Sequence, residues 1–106
     1  MKAHIQAQLR EFKRELRDIY GERLKGVYLF GSYARAEEDP ESDLDVLIVL
    51  DAVPNYSAEI SRTGGVVSQS SLALGVSVSV VFVSEEAWGS GQSLFLLNAR
   101  EEAVAA

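Results

Sequence analysis

The segment Asp43–Leu50, with the sequence DLDVLIVL, constrains the fold of this chain more than any other segment. From Val46 onward it is continuously apolar. A run of this kind is typical of a β-strand that is covered on both faces, because a strand with one solvated face alternates apolar and polar residues. We therefore expect Asp43–Leu50 to be a central strand of a sheet that carries helices.

The N-terminal segment has the periodicity of an amphipathic helix. Its apolar residues recur at spacings of four, three, four and three: Ile5, Leu9, Phe12, Leu16 and Ile19. This spacing places one apolar stripe on a helix over residues 3–20, with Gly21 at its end.

Two further strands follow from short apolar runs. Val27–Phe30 is apolar and is followed by Gly31-Ser32, which predicts a strand and a turn, then a brief helical turn that Ser32 caps. Val76–Val83 (VSVSVVFV) is β-branched and alternating, which predicts a third strand with Ser77, Ser79 and Val81 on one face.

The remaining segments predict helices and one exposed loop. The loop is the polar stretch Glu37–Ser42. A helix lies within residues 55–74, where Gly64-Gly65 weakens it, and Ser84 caps a short helix over Glu85–Gly89. A last helix covers about residues 92–103, with Leu94, Phe95 and Leu97 toward the core. The order of elements indicates a single α/β or α+β domain spanning residues 1–106.

Composition and charge argue against several classes of protein. A chain of 106 residues suffices for one core, and it contains no cysteine for disulfides, zinc sites or thiol nucleophiles. No apolar run is long enough to span a bilayer, and the first residues lack the apolar region of a signal peptide, so we expect a soluble, cytoplasmic protein. The net charge of −6 argues against long DNA or RNA as the main ligand.

The strongest chemical signal is the pair Asp43 and Asp45 at the start of the central strand. Residues two apart in a strand share a face, and their Cα atoms lie about 6.5–7 Å apart. Mg²⁺ suits two such carboxylates, because it binds one or two protein carboxylates together with phosphate oxygens and water. The pair is therefore a candidate for metal binding and for catalysis of phosphoryl displacement.

Gly31 and Ser32 form the candidate phosphate-binding part. A glycine at the end of a strand allows close approach of the backbone to a ligand, and the start of the next helix presents N–H groups to an anion. Each half of the site is a weak signal alone, because an acidic strand start is more often simply solvated. The joint pattern, Gly-Ser, ten residues and Asp-x-Asp, would arise by chance in about one in several hundred sequences.

This pattern, GSYARAEEDPESDLD from Gly31 to Asp45, closely resembles the signature of the DNA polymerase β-like nucleotidyltransferases, specifically their minimal (MNT) family. The resemblance extends over nearly the whole chain. It implies a nucleotidyltransferase fold, with a short mixed β-sheet flanked by helices, and an NTP, with ATP expected, bound with Mg²⁺. It also implies pairing with a helical HEPN-domain toxin, which family members neutralise, in some cases by adenylylating it.

Residue by residue, the resemblance implies that Gly31, Ser32 and Arg35 bind the nucleotide and that Asp43 and Asp45 bind the metal and catalyse. For Arg35 a buried ion pair that anchors the loop is an equal alternative to a phosphate contact. Ser42, which precedes the first aspartate, is expected to be structural.

Two departures from the family pattern stand out. Ala36 occupies a position where the family often has glycine, which costs little unless the backbone there needs a positive φ. Active members usually have a third carboxylate on the later strand, where this chain has only Ser77 or Ser79. A serine is a poor metal ligand and a weak base, so a catalytically impaired antitoxin that binds nucleotide and partner is the rival to an active transferase.

Other residues have plainer interpretations. We expect His4 to be solvated, Trp88 to pack in the core or against a partner, and the basic residues of the first helix to form a solvated surface, with docking of an acidic partner as the alternative. A small domain with 47% hydrophobic residues also predicts a homo-oligomer or a partner interface at the first or the last helix. A polymerase-like transferase acting on nucleic-acid ends is disfavoured, because the chain is acidic and has no RNA-binding domain.

Overall fold

The structure is a computed structural model that describes residues 3–37, 42–90 and 93–106. Its helices are α1 (Ala3–Tyr20), α2 (Gly31–Ala34), α3 (Tyr56–Leu74), α4 (Glu85–Ser90) and α5 (Leu94–Glu102). Its strands are β1 (Leu24–Phe30), β2 (Leu44–Leu50), β3 (Val78–Ser84) and β4 (Val104–Ala105), and a 3₁₀ turn, Gly21–Arg23, joins α1 to β1.

Within the described residues the strands form one mixed sheet in the order β3-β2-β1-β4. β1 is antiparallel to both β2 and β4, whereas β2 and β3 are parallel. β2 is an interior strand, and its residues from Val46 to Leu50 are all buried. Both the central position of this strand and the α/β class with a mixed sheet are confirmed.

Helices cover both faces of the sheet. Leu44, Val46, Ile48 and Leu50 belong to the larger core cluster, which also contains the apolar stripe of α1 and residues of α3. Leu47 and Val49 point to the opposite face, where they form a smaller cluster with Ala99 of α5 and with Trp88 of α4. The continuous apolar run of β2 thus has a packing partner on each side.

The helix ends follow local sequence signals. Gly21, after α1, has a φ of +58°, and Gly75, which caps α3, has a φ of +73°. Such left-handed backbone favours glycine. Ser84 accepts a hydrogen bond from the backbone N–H of Ala87 at 3.1 Å, so the predicted cap of α4 is confirmed. α3 continues without interruption through Gly64-Gly65.

The side chain of Glu59 is buried in a polar cluster that joins α1 to α3. The Tyr20 hydroxyl donates to Glu59 Oε1 at 2.7 Å. Arg23 and Arg62 form ion pairs with the same carboxylate at 3.5 and 3.2 Å. Burial first, and then the hydrogen bond to Glu59, raises the pKa of the Tyr20 hydroxyl above its usual range.

The C-terminal region corrects two expectations. Phe95 and Leu97 are 46% and 47% exposed, whereas Leu96 and Ala99 are buried, so the predicted inward face of the last helix is wrong. Ser93 caps α5 by accepting a hydrogen bond from the N–H of Leu96, and the side chain of Leu94 lies outside the described residues. Strand β4, which pairs with β1, is absent from the sequence prediction.

Some boundaries also differ. β1 begins at Leu24 and β3 at Val78, not at Val27 and Val76. Of the predicted loop Glu37–Ser42, residues 38–41 lie outside the described residues. In the part of the chain that the structure describes, no helix combines the length and the apolarity needed to cross a membrane.

Candidate active site

The pairing of β1 with β2 brings Gly31 against Asp45. Phe30, the last residue of β1, is the register partner of Asp45 in β2, and Gly31 follows at the start of α2 with a φ of +72°. A Cβ atom on Gly31 would stand 2.3 Å from Asp45 Oδ2, which is a severe overlap. Both the left-handed backbone and the close carboxylate therefore require glycine at this position.

α2 is a single turn that begins at Gly31 itself. Its N-cap residue is Phe30, which makes no capping hydrogen bond through its side chain, so the expectation that Ser32 caps this turn is wrong. Ser32 lies inside the turn, where its carbonyl accepts from the N–H of Glu37 at 2.8 Å. The first N–H groups of a helix have no partner within the helix, and Gly31, the first residue of α2, lies against the Asp45 carboxylate.

Asp43 and Asp45 occupy the start of β2. Asp43 is exposed just before the strand, and Asp45 is half-buried within it. Burial, and then the charge of Asp43, raises the pKa of Asp45, while the charge of Arg35 partly opposes this. The two carboxylates thus interact electrostatically, and a cation between them would relieve their repulsion. Their hard oxygen donors fit Mg²⁺ with its remaining positions on phosphate and water.

The neighbouring strand offers a hydroxyl beside this pair. Ser79 in β3 is exposed and is in direct register with Asp45, so the two side chains leave the same face. Ser77 lies before β3, where its carbonyl accepts from the N–H of Leu44 at 2.8 Å. Across residues 3–37, 42–90 and 93–106, no cluster of three or more His, Cys, Asp or Glu side chains is placed to hold a metal.

The comparison with known protein families agrees with this geometry. Residues 9–101 match the model of the nucleotidyltransferase domain family. The chain belongs to this family.

Relatives of this nucleotidyltransferase domain carry similar names. A candidate protein adenylyltransferase of Methanocaldococcus jannaschii is 36% identical over 78 residues, which cover 74% of this chain and 72% of the relative. The protein adenylyltransferase MntA of Thermococcus cleftensis is 41% identical over 51 residues, or 48% of this chain and 50% of MntA. The chain spans about half the length of most of the relatives it matches.

A solved structure has the same fold. It is a crystal structure of a toxin–antitoxin with AMP-PNP, which superimposes with a TM-score of 0.60 at 20% sequence identity. The superposition covers 93% of this chain and 69% of the other chain. At this identity the likeness confirms the fold of the nucleotidyltransferase domain.

Arg35 of the nucleotidyltransferase domain makes ion pairs. Its guanidinium bonds Glu37 at 3.2 Å and Glu102 of α5 at 3.0 Å, and its side chain is 41% exposed. These ion pairs lie at the surface and not in a buried position, and a phosphate contact of Arg35 stays a prediction. Arg35 nevertheless lies near enough to Asp45 to affect the pKa of that carboxyl.

Ala36 adopts a φ of +56°, which is left-handed backbone. Glycine adopts this backbone freely, whereas a positive φ is the condition under which alanine carries a cost. For an L-residue other than glycine that cost is about 1–2 kcal/mol.

Several expectations about single residues agree with the structure. His4 is exposed on α1, and Trp88 packs against Tyr28, with ring centroids 5.0 Å apart. On the same helix as His4, Arg14 pairs with Asp18 at 2.8 Å, as expected of a solvated charged surface.

Two features near the site escaped the sequence analysis: the ion pair of Glu102 with Arg35, and a contact between Phe30 and Phe95. No sequence pattern around Glu102 indicates its ion pair with Arg35. Phe30 could have been noticed as the residue that directly precedes the glycine turn.

Proposed function

We propose that this chain is a Mg²⁺-dependent nucleotidyltransferase that transfers a nucleoside monophosphate from an NTP, with ATP as the expected donor, to a hydroxyl group. The single observation that carries the proposal is the position of the Asp45 carboxylate, which lies against Gly31 and interacts with Asp43. Membership of the nucleotidyltransferase domain family supports it.

The two ends of the candidate site would have different roles, one binding phosphate and the other binding the metal. Gly31 and Ser32 would bind phosphate oxygens at the start of α2, and Asp43 and Asp45 would hold Mg²⁺, which supplies charge stabilisation to the phosphates. In the transfer, the acceptor oxygen bonds to the α-phosphorus, the bond from that phosphorus to the bridging oxygen breaks, and pyrophosphate leaves. The hydroxyl proton passes to a base from solvent or from the acceptor protein.

We propose a protein as the acceptor, with a tyrosine of a HEPN-domain toxin as its target in the cytoplasm and an antitoxin role for this chain. The names of the relatives, which include protein adenylyltransferase MntA, support a protein acceptor. The superimposed structure is that of a toxin–antitoxin, which supports a toxin partner. A net charge of −6 disfavours long nucleic acid as an alternative acceptor.

A second candidate function is a binding module that neutralises its partner without transfer. The observation in its favour is Ser79, which provides a hydroxyl and not a carboxylate beside Asp45. Removing a general base typically lowers a rate by about 10²–10⁴-fold, so such a site would bind nucleotide but turn over slowly.

Calorimetry tests the nucleotide and metal site. ATP should bind more tightly with Mg²⁺ than with a chelator, and the double variant D43N/D45N should lose that difference. The matched control is D18N, since Asp18 is exposed on α1 and is not part of the site. Equal ATP affinity with Mg²⁺ and with chelator in the wild-type protein would refute the metal site.

A transfer assay separates the two candidate functions. The wild-type chain is mixed with ATP labelled at the α-phosphate and with a HEPN-domain toxin. Label on a tyrosine of that protein, absent with D43N/D45N, is the result expected of the transferase. A tight complex that neutralises the toxin without any label is the result expected of the binding module.

A further inference from the structure

We infer that Phe95, supported by Phe30, is the surface on which the nucleobase of the bound nucleotide stacks. This inference rests on the proposed function, because it concerns the same nucleotide. Phe95 lies on α5 with its side chain 46% exposed. Its ring contacts that of Phe30 edge to face, with centroids 5.7 Å apart and an interplanar angle of 86°.

The strand register places this aromatic pair beside the phosphate and metal ends of the site. Phe30 is the antiparallel partner of Asp45, so the two side chains leave the same face of the sheet. Directly opposed residues have Cβ atoms about 4.5–5.5 Å apart. Phe30 is also the residue before Gly31. Phe95, in contact with Phe30, therefore lies on the Asp45 face within reach of a nucleoside whose phosphates meet Gly31.

The position of Phe95 is fixed relative to the site from both ends of α5. At the N-terminal end, Ser93 caps the helix and Leu96 is buried. At the C-terminal end, Glu102 forms the ion pair with Arg35, which follows α2. A side chain that is already ordered favours stacking, because ordering it on binding would cost free energy and lower the affinity.

Two other large aromatic side chains are at least partly exposed, but each packs on another ring, and one of them lies on the opposite face of the sheet. Tyr56 is exposed, but its hydroxyl accepts from the N–H of Phe82 and its ring packs on the ring of that residue, which belongs to the opposite core cluster. Trp88 is half-buried and packs on Tyr28. Among the described residues, Phe95 is therefore the exposed aromatic ring on the Asp45 face.

Stacking on a phenylalanine ring has a recognisable chemical consequence. Every nucleobase has a π-face, so stacking contributes to affinity with little discrimination among bases. The surface should therefore accept adenine and guanine nucleotides alike. Tripolyphosphate has no base and therefore cannot stack on Phe95.

The test compares three ligands on the full chain in the presence of Mg²⁺: ATP, GTP and tripolyphosphate. F95A should lower the affinity for ATP and GTP by about 5- to 100-fold and leave the affinity for tripolyphosphate unchanged. F95L, which keeps the apolar bulk without the ring, should lose most of the same affinity, whereas F95W should retain it. The matched control is L97A, because Leu97 is 47% exposed on the same helix.

Four outcomes overturn the inference. Unchanged ATP affinity in F95A shows that the ring does not contact the base. An equal loss for tripolyphosphate in both F95A and F95L shows that the ring of Phe95 supports the phosphate site and does not bind the base. Equal affinity of the wild-type chain for ATP and for tripolyphosphate shows that no base contact exists, while nucleotide binding itself stands. A wild-type chain that binds none of the three ligands refutes the proposed function and this inference with it.

Discussion

The Cα atom of Gly31 and the carboxylate of Asp45 lie so close that no side chain fits between them. A Cβ at Gly31 would stand 2.3 Å from Asp45 Oδ2 and 3.3 Å from its Cγ. This contact joins the two halves of the candidate site, because the residue that starts α2 also determines where the Asp45 carboxylate can lie. The glycine is therefore a structural requirement of the acidic pair as well as of the proposed phosphate contact.

The first prediction is that G31A destabilises the protein and displaces Asp45. The left-handed backbone alone should cost about 1–2 kcal/mol of unfolding free energy, and the overlap with Asp45 adds to it. Urea unfolding measures this change, and calorimetry should show reduced Mg²⁺-dependent ATP binding at a temperature where the variant is folded.

G64A is the control for that prediction. Gly64 lies inside α3 with no atom within 4 Å of a built Cβ. Alanine there should raise the unfolding free energy by about 0.5–1 kcal/mol, because glycine has the larger conformational entropy in the unfolded chain. If G31A were as stable as the wild type while G64A was stabilised, the close contact of Gly31 with Asp45 would be wrong.

The second prediction is that S79D strengthens Mg²⁺ binding and raises nucleotidyl transfer, whereas S77D does neither. Ser79 is level with Asp45 on the adjacent strand, and Ser77 precedes that strand. A carboxylate in register adds a ligand and a general base, which is typically worth about 10²–10⁴-fold in rate. Transfer assays with labelled ATP measure the difference. A wild-type rate that S79D does not exceed would show that the two aspartates suffice.

The third prediction is that A36G stabilises the protein. At a φ of +56° alanine costs about 1–2 kcal/mol, and glycine would remove this cost while losing about 0.5–1 kcal/mol through its greater freedom in the unfolded chain. The net gain should be about 0.5–1 kcal/mol, measured by thermal or urea unfolding. A34G, in the helical conformation of α2, should instead destabilise; a loss of stability in A36G would contradict the left-handed assignment.

The fourth prediction concerns alkaline pH. The folded protein raises the pKa of Tyr20 above its ordinary value, chiefly by burial and then by the hydrogen bond to Glu59. Above pH of about 10, the unfolded chain therefore loses this proton first, and stability falls by up to about 1.4 kcal/mol per pH unit. The contribution is fully present below pH 10.

Y20F tests this linkage, because phenylalanine keeps the ring and has no proton to lose. The variant should be less stable than the wild type by about 1 kcal/mol at neutral pH, since the Glu59 carboxylate loses a hydrogen bond. The difference should shrink as pH rises above 10. Denaturant unfolding at several pH values measures it, and a gap that stays constant up to pH 11 would contradict the raised pKa.

Much of the local structure could be predicted from the sequence. The apolar stripe of α1 and the uninterrupted run of β2 define their own elements, because periodicity reflects burial directly. The cap of α4 at Ser84 was equally local. The residues of the candidate site, Gly31, Asp43 and Asp45, were identified because a motif records which residue types must come together.

The face of α5 could not be predicted in the same way. Leu94–Leu97 is a run of four apolar residues, so the sequence alone does not indicate which of them turn inward. The structure buries Leu96 and exposes Phe95 and Leu97, and it uses Val104–Ala105 as a strand that is too short to have a pattern. These choices depend on contacts with residues distant in the chain, such as Glu102 with Arg35.

By itself, the sequence determined the class of the fold, the interior position of β2 and the pairing of a glycine turn with two carboxylates, because each depends on residue type and spacing along one segment. Only the tertiary structure decided that Gly31 touches Asp45, that Ser79 is level with it and that Phe95 stands beside Phe30. The register between strands sets these distances, and register arises from packing on both faces of the sheet at once.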